Sequence, residues 1–167
     1  MGRENLIVIA IFSAVVFGAT ALLLRAGTRR LLAALIAGVC GAALNIGWDI
    51  AAAKFGWWHY AVGTGSMAPL IGYVPVAFVY GGAFGLAGWR AIRKWGTAGA
   101  IAFFVVYVSW NVFRDYYISS HSGILVYAPS AIAWIMDGIG AFTVAALVQL
   151  VMWPIAGAPK SDALRGE

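Results

Sequence analysis

Five apolar stretches, each about as long as a lipid bilayer is thick, leave this chain few ways to fold. They run at about 6–24, 31–53, 69–89, 97–118 and 128–153. Bilayer hydrocarbon is about 30 Å deep and a helix rises about 1.5 Å per residue, so roughly 20 apolar residues make a span. Runs such as LIVIAIFSAVVFGATALLL lack the strict apolar/polar alternation that a membrane barrel requires. A water-soluble domain carries far more charge than the 10% found here beside 63% hydrophobic residues. The expectation is an all-α, polytopic membrane protein, with one domain of five transmembrane helices over 1–153. A polar, disordered tail follows at 154–167.

The basic residues then set an orientation. Arg25, Arg29 and Arg30 lie between the first two stretches, Arg90, Arg93 and Lys94 between the third and fourth, and Lys160 and Arg165 in the tail. These are eight of the eleven Lys and Arg, and five spans put all of them on one side. The positive-inside rule makes that side the cytoplasm, with the N-terminus outside and the plasma (inner) membrane as location. Met1–Asn5 carries Arg3 and Glu4 and so no net positive charge, which reads as a retained anchor instead of a cleaved leader. The net charge of +5 follows from this asymmetry and implies no nucleic-acid partner. Cys40 is the single cysteine, so no intramolecular disulfide forms.

Two phrases recur. NIGWD at 45–49 and NVFRD at 111–115 each place an Asn one turn before an Asp near the outer end of a helix. Each is followed by an exposed loop holding a His and a Gly, then by a helix with a Pro near its start, Pro69 or Pro129. Helices 2–3 and 4–5 thus read as two copies of one hairpin, a parallel repeat whose axis runs along the membrane normal.

Asn45, Asp49, Asn111, Asp115, Arg114 and Asp137 all fall in one depth band of the outer half. A charge near a helix centre costs about 2.5–3.5 kcal/mol on insertion scales, so these groups are expected to turn inward. One reading makes them interhelical glue at about 0.6 kcal/mol per contact; the other makes them a polar pocket. Trp48, Trp57, Trp58, Tyr60, Trp110, Tyr116, Tyr117 and Trp134 surround the band. Trp57, Trp58, Tyr60, Tyr116 and Tyr117 suit an interfacial belt, whereas Trp48, Trp110 and Trp134 sit deep enough to line a pocket. Indole faces stabilise cations, and an acid beside them can protonate an alkene. Asp49, His59, Asp115 and His121 offer a metal set on paper, but their spacings match no ligand motif, and no metal or cofactor is expected. No nucleophile elbow, phosphate loop or dinucleotide fingerprint occurs.

Residues 48–80, from Trp48 and Asp49 through Gly56, Trp57, Trp58 and Tyr60, resemble the membrane-integral lycopene cyclase domain. That family joins a Trp-Asp helix end to an aromatic loop and a Pro-initiated helix. The resemblance implies small helical repeats, an isoprenoid ligand and acid-catalysed cyclisation. The family's next helix carries a Glu pair shortly after its Pro, where this chain has Pro75, Val76 and Ala77. The acid must then be Asp49, Asp115 or Asp137.

The functional expectation is a non-redox isoprenoid or carotenoid-type cyclase or isomerase. Asp49, Asp137 and Asp115 are its acid candidates. Asn45, Trp48, Trp57, Trp58, Tyr60, Trp110, Asn111, Arg114 and Trp134 are its substrate-binding candidates. The alternative is a non-catalytic accessory or pigment-binding subunit of a larger membrane complex. Its partners would be a membrane lipid or isoprenoid together with a membrane protein or a second copy of the chain.

Overall fold

The computed structural model describes residues 3–61 and 70–157. Pro69, the tail residues Lys160 and Arg165, and most of the predicted polar tail lie outside the described residues.

The architecture is all-helical apart from two three-residue strands. α1 spans Arg3–Leu23 and α2 spans Thr28–Phe55. The third long helix, Leu70–Trp95, opens with a 3-10 turn at Leu70–Tyr73. It continues as a π-helical stretch at Val76–Ala83 and finishes as α3, Phe84–Trp95. α4 is Thr97–Ser122 and α5 is Ala131–Ala156. Four of these helices are long and apolar enough to cross a membrane: Thr28–Phe55, Leu70–Trp95, Thr97–His121 and Ala131–Ala156. In α1 the apolar stretch is shorter, Ile7–Leu23.

The helix ends follow from backbone chemistry. Gly56 closes α2 and Gly123 closes α4, both in the left-handed conformation that favours glycine at this position. Ser130 opens α5, its hydroxyl accepting from the Ala133 N–H at 3.3 Å. Gly96, with φ 59°, is the whole connection between α3 and α4.

α2 is the centre of the bundle, packed against both the third helix and α5, while α4 packs on α3 and α5. Small residues make this possible. Ala33, Ala34, Ala37, Gly38 and Gly41 of α2 are all buried. A Cβ built on Gly81 would stand 2.2 Å from the Gly38 Cα, so the two backbones touch at this crossing. Large apolar side chains point outward instead: Leu23, Val39, Val105 and Ile135 are among many exposed. That inside-out distribution suits an apolar solvent.

The stretches expected to be exposed loops after α2 and α4 are partly ordered as strands. β1 (Trp58–Tyr60) pairs antiparallel with β2 (Leu125–Tyr127), matching Trp58 to Tyr127, His59 to Val126 and Tyr60 to Leu125. Aromatic and branched residues favour this pairing. In both strands the first residue is buried and the middle one exposed, as the two-residue strand period requires.

Candidate functional site

The strand pair roofs the end of the bundle where three aspartates meet. Asp49 lies near the C-terminus of α2 and is buried. The Trp58 indole N–H donates to its Oδ1 at 3.0 Å, and the Tyr73 hydroxyl donates to Oδ2 at 2.7 Å. Asn45, one turn earlier, adds a long 3.5 Å contact to Oδ2. The Tyr60 hydroxyl also lies within hydrogen-bonding reach of Asp49. Donors from α2, β1 and the 3-10 turn thus converge on one carboxylate.

Asp115 is handled differently. Its neighbour Arg114 grips it through both oxygens, Nε to Oδ1 at 2.7 Å and Nη2 to Oδ2 at 2.8 Å. The same guanidinium lies 4.4 Å over the ring of Tyr80, which the π-helical stretch presents. Tyr107 packs edge-on against Tyr80 from α4.

Asp137, in the second turn of α5, is 8% exposed. Its Oδ2 has no hydrogen-bond partner among the described residues. The Tyr127 hydroxyl of β2 is within reach of the carboxyl. The Tyr127 ring stacks on Trp134 with centroids 4.1 Å apart and planes 12° from parallel, and meets Trp58 at 5.5 Å. The cross-strand pair Trp58 and Tyr127 therefore joins the two acids, Trp58 holding Asp49 and Tyr127 facing Asp137. Asp115 acts electrostatically on both of the others, so the three form one set.

The phenols of the roof stay neutral. Burial, then the charges of Asp49 and Asp115, pushes Tyr60 well above the ordinary tyrosine range. Burial first, then Asp115 and Asp137, raises Tyr127 in the same direction. Both hydroxyls remain donors at any physiological pH.

Of the residues proposed from the sequence, the structure brings together Asp49, Asp115, Asp137, Asn45, Trp58, Tyr60, Arg114 and Trp134. Trp57 stands beside them, stacked on Phe55 at 5.0 Å. Trp48 is a packing residue: its N–H donates to the Thr143 hydroxyl at 2.8 Å and its ring covers Gly140. Asn111 is buried but turns back to its own helix, donating to the Tyr107 carbonyl at 2.9 Å. Trp110 does not line the site, since it is 48% exposed beside Phe113 on the outward face of α4. His59 and His121 are exposed, and among the described residues no three His, Cys, Asp or Glu side chains stand close enough together to hold a metal ion.

Tyr73, Tyr80, Tyr107 and Tyr127 were missed by sequence reasoning. Their hydroxyls were the available signal, since a tyrosine deep in an apolar run needs a partner. Comparison with protein-family models, with curated proteins and with solved structures finds no match to this chain.

Proposed function

We propose that this chain is an intramembrane acid catalyst that binds an isoprenoid-like polyene and cyclises or isomerises it without redox chemistry. The observation that carries this reading is the buried, unpartnered Oδ2 of Asp137 beside two aspartates whose oxygens are already engaged. A buried carboxyl oxygen without a donor is least costly when it carries the hydrogen itself. Asp137 is then the one acid of the three with a proton to give.

The chemistry balances within the site. The Asp137 O–H bond breaks as a C–H bond forms at one alkene carbon, leaving a cation on its neighbour. Trp134, Tyr127 and Trp58 supply π faces for that charge. Ring closure or a double-bond shift follows, and a proton lost from an adjacent carbon returns to the Asp137 carboxylate. No electron is gained or lost, and no cofactor enters.

This reading includes five spans, with α1 crossing as well, an external N-terminus and a cytoplasmic basic end. It also includes the duplication of α2 and the third helix in α4 and α5. The antiparallel β1–β2 pairing supports the duplication, because a two-fold axis between the hairpins relates equivalent strands in that way. Cysteine placed at Ser119 in a Cys40-free background should be labelled from outside in intact cells; labelling only after permeabilisation overturns the orientation.

The test of the chemistry is turnover of an acyclic polyene by the protein in lipid nanodiscs made up in deuterium oxide. Product should carry deuterium at the protonated carbon. Asp137→Asn should stay folded and monodisperse yet lose at least about a hundredfold in rate, the usual contribution of a general acid. Full activity in Asp137→Asn removes the enzyme reading. A second reading, an accessory or pigment-binding subunit, draws on the exposed aromatic face of α4 formed by Trp110, Phe113, Tyr116 and Tyr117. A stoichiometric protein partner in mild-detergent preparations would favour it.

A further inference from the structure

The unpartnered Oδ2 of Asp137 is fully enclosed, so no molecule touches it unless some part of the protein moves. Two routes lead to it, one between the helices and one through the strand pair above the aspartates.

The helices resist. α2 meets the third helix backbone on backbone, and a Cβ on Gly38 would strike the Ala77 carbonyl. α2 also packs along α5, where Trp48 covers Gly140 and bonds to Thr143. Sliding such close surfaces apart gives up many contacts at once.

The strand pair is held by less. β1 and β2 have three residues each. One backbone hydrogen bond extends the ladder at either end, Ala61 N–H to the Ile124 carbonyl at 2.9 Å and Ala128 N–H to the Trp57 carbonyl at 2.8 Å. A two-stranded ribbon is marginal by itself. Its opposed middle residues, His59 and Val126, are exposed. Each strand leaves its helix through a glycine of positive φ, Gly56 at 71° before β1 and Gly123 at 63° before β2. A Cβ at either glycine would meet nothing within 4 Å. Uncrowded glycines at matching places are where backbone rotation costs least. The seam between the strands runs past both acids: Trp58, which donates to Asp49, faces Tyr127, which stacks on Trp134 one turn from Asp137.

We propose that β1 and β2 are the two leaves of a gate, each turning about the glycine before it, and that parting them uncovers Asp49 and Asp137 together. Trp58 leaves Asp49 with one leaf, and the Tyr127 ring leaves Trp134 with the other. Asp115 is unaffected, since its partner Arg114 belongs to α4. The closed form is the one described above, and the open form is a minor state in exchange with it. The proposal concerns access alone and stands whether or not Asp137 is a catalyst.

The experiment locks the seam. His59→Cys with Val126→Cys, in a Cys40-free background, places two thiols directly across the strands, to be joined by oxidation or by a short bifunctional thiol reagent. The protein in nanodiscs is then treated with dicyclohexylcarbodiimide, an apolar reagent for buried carboxyls, and adducts at Asp49 and Asp137 are followed by mass spectrometry. Bridging should slow labelling by on the order of tenfold or more, because the rate follows the open fraction, and reduction should restore it. Equal labelling in the bridged and reduced protein overturns the proposal by placing entry between the helices, and so does the absence of labelling in both. Labelling needs no turnover, so its outcome is separate from that of Asp137→Asn. Should the double variant fail to fold, backbone amide exchange on the native chain decides. The amides of Ala61 and Ala128 should exchange together and faster than those in the middle of α2, and exchange as slow as that of α2 overturns the gate.

Discussion

Asp49 and Asp115 end the same five-residue phrase, Asn-x-x-x-Asp, on helices running in the same direction, yet the protein satisfies them by opposite means. Asp49 receives neutral donors from three separate elements, Trp58, Tyr73 and its own helix's Asn45. Asp115 receives a full charge from the residue beside it. The lesson is that a repeated phrase fixes where a carboxylate stands and leaves open what compensates it. Arg114 holds the place in NVFRD that Trp48 holds in NIGWD, and Trp48 instead reaches across to Thr143.

The largest test of this contrast is Arg114→Gln. Arg114 is half-buried, so its removal leaves the buried Asp115 uncompensated at a cost of up to about 3 kcal/mol, the low end for a fully buried pair. Thermal unfolding followed by size-exclusion chromatography should show a clear drop, with Arg114→Lys recovering only part of it because the two-pronged grip is lost. An unchanged midpoint in Arg114→Gln means that Asp115 needs no counter-ion.

Next come the donors to Asp49. Trp58→Phe and Tyr73→Phe each delete one hydrogen bond while keeping most of the ring, and each should cost about 1–3 kcal/mol. Because both act on one carboxylate, the double variant should deviate from the sum of the single ones. Strict additivity would show that the two donors do not share Asp49.

Asn45→Ala and Asn111→Ala should be milder: both side chains bond within their own helices, so each should cost no more than about 0.6 kcal/mol, the usual worth of a hydrogen bond between helices in a bilayer. Asn111 bonds within its own helix, so its loss should leave the Arg114–Asp115 pair intact. The smallest effect is expected from alkali. Tyr60 and Tyr127 are raised above the normal range, so the phenolate absorbance of the folded protein should lag free tyrosine up to about pH 11. Tyr60→Phe and Tyr127→Phe should leave the titration curve unchanged below that pH.

Much of the fold was legible because the dominant physics is one-dimensional. A run of apolar residues of membrane length folds as a helix whatever its neighbours do, and the four longest helices appear near their expected places. Boundaries shifted where caps decide them: α5 starts at Ala131, after Ser130 as cap, and runs on past Trp153 through Pro154. Polar residues within apolar runs pointed to the gathering of Asp49, Asp115 and Asp137, since apolar surroundings leave few places for a carboxylate. Side-chain direction was not legible. Trp48, Trp110 and Trp134 looked equivalent by depth, yet one packs on Gly140, one faces outward and one stacks on Tyr127. The β1–β2 pairing was also hidden, because it joins segments far apart in the chain and each strand is only three residues long.

The single-residue link at Gly96 bears on how the molecule is assembled. With one residue between them, α3 and α4 have no slack to enter a membrane separately. If these helices span a bilayer they enter it as a closed helical hairpin, its tip carrying Arg90, Arg93 and Lys94 and its two free ends carrying Tyr73 and Asp115. In the orientation proposed above, the tip would stay on the side of synthesis while the free ends cross together. On that reading half of the aspartate cluster would arrive in one event, and α2 and α5 would close around a carboxylate that already has its guanidinium in hand. Arg114 would in this sense escort Asp115 across the hydrocarbon before the bundle exists.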